Sequence, residues 1–235
     1  ISGIISPQII KYQTKNWSST LQEKIFLIEQ NTLEKFKEIE KELLSIASTA
    51  KKELRAALNA NDSYGKLVRI VNQEKFNLYS LEILAPNGKL IAWNSMIAVP
   101  QDKVLPLDYP FGETYFFKSH LITFLTLVDT IEFDAEIFYI VCSLPFEKHY
   151  QLKNDYSKPI SFSRLISEQN SVQVEMDLNP FAEKSTDGRK YSFNLLNNKN
   201  NKIGQLTINK PILDTELNNT SFIIDLEIAF SARYH

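Results

Sequence analysis

The chain reads as an α+β protein: a long N-terminal helix, then an antiparallel sheet module, then a smaller β-rich unit. Three features predict this. An apolar stripe with helical spacing runs over residues 17–58, an Asn-Gly turn joins two strand-like runs, and the last third alternates with period two.

The helix comes first. Leu21, Ile25, Ile28, Thr32, Phe36, Ile39, Leu43, Ile46, Ala50, Leu54 and Ala57 advance by threes and fours, which lays one stripe along a helix. Lys24, Glu34, Lys37, Glu38, Glu40, Lys41, Lys51 and Lys52 are expected on the solvent faces, and residues 17–58 contain no Pro or Gly. At about 1.5 Å per residue the helix is on the order of 60 Å long, more than a small sheet can cover. One end is expected to project and to pair with a second copy of the chain.

A breaker cluster follows, Asn59-Ala-Asn-Asp-Ser-Tyr-Gly65, and then a short helical piece with Leu67, Val68 and Val71 on one side. Residues 78–84 and 89–95 are strand-like, and Asn87-Gly88 between them is a hairpin signal. Pro100, Pro106 and Pro110 mark a loop. Residues 112–120 are read as a short helix, and residues 124–133 and 136–146 as two strands split at Asp134-Ala135.

In the last third Val172, Val174, Met176 and Leu178 alternate with polar residues, as do Phe222, Ile224, Leu226, Ile228 and Phe230. Period two is the mark of a half-buried sheet. Residues 191–196 and 203–208 make a further hairpin. The division expected is a stalk helix over 1–60, a sheet module over 61–155, and a β-rich unit over 156–235. That unit either forms a second, membrane-proximal module or completes the first sheet.

Composition narrows the function. With 26 basic and 28 acidic residues the net charge is −2, which gives no electrostatic case for nucleic acid. Six glycines leave little material for a phosphate-binding loop, and no catalytic or metal-binding motif is present. His120, His149 and His235 have no second ligand at motif spacing. The lone Cys142 lies in an apolar run and reads as a buried, inert thiol. No enzyme activity, metal or cofactor is expected. The chain begins at Ile1 rather than Met, and the expectation is a piece of a larger protein.

The element order resembles the extracytoplasmic Cache sensor domains, the PAS-like modules of bacterial histidine kinases and chemoreceptors. The resemblance rests on Ile83-Leu-Ala-Pro-Asn-Gly-Lys-Leu-Ile-Ala-Trp93, like the family's strand, turn and strand. Tyr115-Phe116 is similar to its Tyr-Phe pair opening a pocket-covering helix, and Ser143-Leu-Pro-Phe146 to its strand ending in Pro. It covers roughly residues 15–150. The chain departs from the family after Pro145, where no Gly-containing turn follows, and the matching final hairpin comes only at residues 191–208. No Arg lies between Arg69 and Arg164, so an amino-acid ligand is not supported.

The resemblance implies a ligand-sensing periplasmic part of an inner-membrane receptor, histidine kinase type, joined to the membrane through flanking segments. It also places a small-molecule pocket among the aromatics. Trp93, Tyr109, Tyr115 and Tyr139 are the expected walls, since Tyr and Trp pair an apolar body with a polar tip. Lys118 or Asp129 is the expected polar anchor. Phe116 and Phe117 read as core. The competing reading is a non-catalytic structural or protein-interaction module, in which Phe116, Phe117 and Leu121 would fill the pocket space.

Overall fold

The structure, a computed structural model, describes residues 2–58, 63–94, 110–119, 121–148, 161–215 and 217. Tyr109, the three histidines and the expected strand over 222–230 lie outside the described residues. The fold is α+β, as the sequence patterns indicate: a long N-terminal helix followed by antiparallel sheets.

Helix α1 spans Ser2–Leu58, beginning well before the Trp17 expected from the stripe. Once nucleated on the packed half, a helix propagates at little cost per residue. Its packed half starts at Ile28. From there Thr32, Phe36, Glu40, Leu43, Ala47, Ala50, Leu54 and Ala57 are buried. The small Ala side chains let the sheet approach closely, and the Thr32 hydroxyl is satisfied by donating to the Ile28 carbonyl at 2.6 Å. Between Lys11 and Leu27 no described side chain is buried, and Tyr12, Phe26 and Leu27 are exposed.

Glu40 was expected in solvent and is instead enclosed. Its carboxylate accepts from the Thr114 hydroxyl and from Lys37 Nζ, the latter at 2.8 Å. The helical spacing could not reveal this, because the group that encloses Glu40, Thr114, comes from an edge strand far along the chain.

Helix α2 (Ser63–Val71) buries Leu67 and Val71, but Val68, expected on the same side, is exposed, one residue from Leu67 and so about 100° around the helix. The first sheet has five strands: β1 (Ser80–Leu84), β2 (Leu90–Trp93), β3 (Thr114–Lys118), β4 (Ile122–Phe133) and β5 (Glu136–Lys148). Their spatial order is β2-β1-β5-β4-β3, antiparallel throughout. Gly88 takes φ +80° in the β1–β2 turn, a left-handed conformation that suits a residue without Cβ. Asp134 and Ala135 both have positive φ between β4 and β5, the backbone twist a two-residue hairpin requires.

One element corrects the sequence reading. Residues 112–119 do not form the expected helix; Thr114–Lys118 is the edge strand β3, paired along β4 from Thr114↔Leu127 to Lys118↔Thr123. A β-branched residue followed by three aromatics favours a half-buried pleated surface, and the turn at Gly112 (φ +72°) delivers the chain to the β4 edge. Tyr115 therefore lies in the sheet rather than on a lid. Similarly, Leu78 precedes β1 and is 73% exposed.

Helix α3 (Phe162–Asn170), N-capped by the Ser161 hydroxyl, leads into the second sheet of β6 (Val174–Asp177), β7 (Lys190–Leu196) and β8 (Lys202–Asn209), ordered β6-β8-β7. Leu195, Leu206 and Ile208 join the same buried cluster as α1 and the first sheet. The β7–β8 turn pins the two sheets together. Asn197 and Asn198 side-chain amides donate to the Thr114 and Gly112 carbonyls at 3.1 and 2.9 Å, and Lys37 Nζ caps the Leu196 and Asn197 carbonyls.

Candidate functional site

The five-stranded sheet has two unlike faces, and the strand register assigns every residue to one of them. Along β5, Phe138, Ile140, Cys142, Leu144 and Phe146 face α1. Tyr139, Val141, Ser143 and Pro145 point to the far face.

Tyr139, Tyr115 and Trp93 all belong to the far face. Tyr139 is aligned with Leu84 and Thr130, Tyr115 with Thr126, and Trp93 with Glu82, which is itself aligned with Val141. They do not meet at a point. Trp93 stands on the β2 edge and Tyr115 on the β3 edge, four strand spacings apart, or about 19 Å between backbones at 4.8 Å per spacing. Tyr139 lies midway on β5, its ring stacked on Phe111 with centroids 5.8 Å apart. Trp93 is 46% exposed, whereas Tyr115 is only 7% exposed among Leu84, Phe124, Val128 and Val141.

The two expected anchors do not join them. Asp129 is aligned with Ile140 on the α1 face, where it pairs with Lys51 at 2.7 Å. Lys118 ends β3 on the Phe116 side and is exposed. Phe116 belongs to the core, its ring 4.9 Å from Phe146 and 6.2 Å from Phe36, while Phe117 lies on the far face.

The polar groups of the far face were not singled out from sequence. Ser80, Ser143, Thr126 and Tyr115 form one continuous row across β1, β5, β4 and β3, all buried. The Thr126 and Ser143 hydroxyls are 2.9 Å apart and hydrogen-bonded. One step along, Glu82 is fully buried beside Trp93, and Ser80 Oγ donates to its carboxylate at 3.2 Å. A signal was present: Ser80 and Glu82 alternate with Leu81 and Ile83, so a strand there must put them on the face opposite to the leucine. Hydroxyls can donate or accept, and an ionised carboxylate accepts only. On this face Val128 and Val141, a hydroxyl row and one acid thus lie buried together between the aromatic edges.

Burial pushes the Cys142 thiol up to about 12, so it is not a nucleophile at neutral pH. Burial, helped by donation to Glu42, also raises the Tyr79 phenol well above its ordinary value. Donation to Glu29, then burial, raises Tyr191. Among the described residues no group of three or more His, Cys, Asp or Glu could hold a metal ion, and no helix is long and apolar enough to cross a membrane. No protein-family model and no curated protein matches the chain.

Proposed function

We propose that this chain is a ligand-sensing, extracytoplasmic Cache-like domain of a membrane signal-transduction receptor, of the histidine kinase type, and that it binds a small molecule on the far face of its five-stranded sheet. The observation that carries this reading is the far face itself. Trp93, Tyr115 and Tyr139 share it, interleaved with the buried Ser80–Ser143–Thr126 hydroxyls and Glu82. Apolar walls with a few fixed polar groups are what small-molecule sites use.

The signal in this reading passes through α1. That helix packs on β4 and β5, the same strands whose far-face side chains would meet the ligand. A ligand that favours one of two positions of this strand pair shifts the helix by its difference in affinity for the two, and no chemistry is needed. The half of α1 before Ile28, with Tyr12, Phe26 and Leu27 exposed, would pair with a second copy, and flanking segments would supply the membrane connection.

A thermal-shift screen of neutral, cationic and anionic small molecules tests the reading, because a ligand of the native state raises apparent stability by mass action. The expected result is a stabilising compound whose affinity falls about tenfold in Tyr115→Phe, the order of one lost hydrogen bond. Hits that bind Tyr115→Phe and Trp93→Ala as they bind wild type would move the site elsewhere. A screen without hits would favour the interaction-module reading.

A further inference from the structure

A second binding site stands apart from the far face, at the place where β5 outruns β1. Their pairing ends at Ser80↔Ser143, yet β5 continues to Lys148. On that side the strand is next met by a single bridge, Glu147↔Ser161. Pro145 falls in this gap, and a proline has no N–H to leave unpaired on an uncovered strand edge. Helix α3 roofs the gap and α1 floors it.

The result is a cavity of about 520 Å³. Its walls are hydrocarbon from four parts of the chain: Ile39 of α1, Leu144 and Phe146 of β5, Phe162 and Leu165 of α3, and Leu78 at the mouth. The floor is rigid. Phe146 and Phe162 stack with centroids 4.7 Å apart, and both rings meet Phe36. A volume in the range of roughly 300–1,000 Å³ with such walls suits a small organic molecule.

The polar rim indicates the ligand's charge. Arg164 Nε donates to Glu168 at 2.6 Å, so the two charges at the mouth compensate each other. Ser161 Oγ donates to Glu147 and accepts from the Arg164 amide, and Glu147 also accepts from Ser163 at 2.8 Å. Glu147 is not in the lining, so the lining charges are the paired Arg164 and Glu168, and an ionic head group would find no unpaired one and would lose hydration on entry.

We infer that this cavity, framed by Ile39, Leu144, Phe146, Phe162 and Leu165, is a binding site for an uncharged, largely apolar small molecule. The site is independent of the far face and of any sensing role. Its contact with Ile39 places the ligand directly against the packed half of α1.

The test is a fluorescence titration of the whole chain with N-phenylnaphthylamine, a neutral dye that brightens in apolar surroundings. Saturable binding of one dye per chain is expected, displaced by octanol but not by octanoate or octylammonium. Leu165→Trp fills the cavity and should weaken binding by about tenfold or more. Leu78→Glu, at an exposed position where folding tolerates it, should weaken binding similarly by charging the mouth. Trp93→Ala, on the far face, should bind the dye as wild type does. The inference is overturned if saturable binding is absent, or if the charged competitors displace the dye as well as octanol does. Wild-type affinity in folded Leu78→Glu would overturn it too, whether or not Leu165→Trp folds.

Discussion

The two faces of the five-stranded sheet are made of the same strands and solve opposite problems. Toward α1 the strands present mostly apolar side chains: Leu81, Ile83, Leu125, Leu127, Ile140 and Cys142 close on Phe36, Leu43 and Leu54, with Thr114 and Asp129 as polar exceptions that meet Glu40 and Lys51 of the helix. On the far face the same strands present Ser80, Glu82, Thr126, Ser143 and Tyr115 among Val128 and Val141, all buried. Buried hydrocarbon stabilises a fold outright, while a buried polar group costs free energy unless it is hydrogen-bonded. The comparison teaches that the α1 face determines the fold's stability. On the far face stability depends instead on buried polar groups meeting one another, Thr126 with Ser143 and Ser80 with Glu82.

The largest expected break of this comparison is Phe36→Ala. Phe36 is fully buried against Phe116, Phe146 and Phe162, and its loss should cost about 3–5 kcal/mol in a urea melt. A cost under about 1 kcal/mol would mean that α1 does not seat the sheet.

The next concerns pH. Burial holds the Cys142 thiol at about 12 in the folded chain, against 9.0 for a free thiol. A raised value means the folded state holds the proton more tightly. The stability it contributes is complete below about pH 9 and is lost as pH rises toward 12. Cys142→Ala should flatten the alkaline limb of the pH–stability curve. Iodoacetamide should leave the folded protein unlabelled at pH 8 and label it fully in denaturant.

A smaller effect is expected on the far face. Thr126→Val keeps the shape and removes the hydrogen bond to Ser143, which should lower stability by about 1 kcal/mol. Smallest is Lys51→Ala, which breaks the pair with Asp129. Both groups are about a third exposed, so solvent screening should hold the loss below roughly 1 kcal/mol and added salt should shrink it. A salt-independent loss larger than that of Thr126→Val would invert the order.

Most of the architecture was legible because hydrophobic period is a local property. The α1 stripe, the Asn87-Gly88 turn, the split at Asp134-Ala135 and the 191–208 hairpin each carry their own signal. The β3 strand was misread because its short aromatic run fits a helix or a strand equally well by period. Pairing with β4 decides it, and pairing is non-local. The burial of Glu40 was hidden for the same reason, since it depends on Thr114 arriving from far along the chain.

The candidate site was legible only in part. That Trp93, Tyr115 and Tyr139 share a face follows from a register no single strand contains. Asp129 went to the other face because it is one residue out of phase with Val128 and Thr130. The Ser80–Glu82 alternation was readable but was passed over for the more conspicuous aromatics.

The most direct measurement is a paired thermal-shift experiment with a stabilising compound from the screen, on Phe36→Leu and Trp93→Ala. The account predicts that Phe36→Leu melts lower but keeps the full ligand-induced shift, whereas Trp93→Ala melts near wild type and loses most of that shift. If Trp93→Ala keeps the shift and Phe36→Leu loses it, the division of labour between the two faces is wrong.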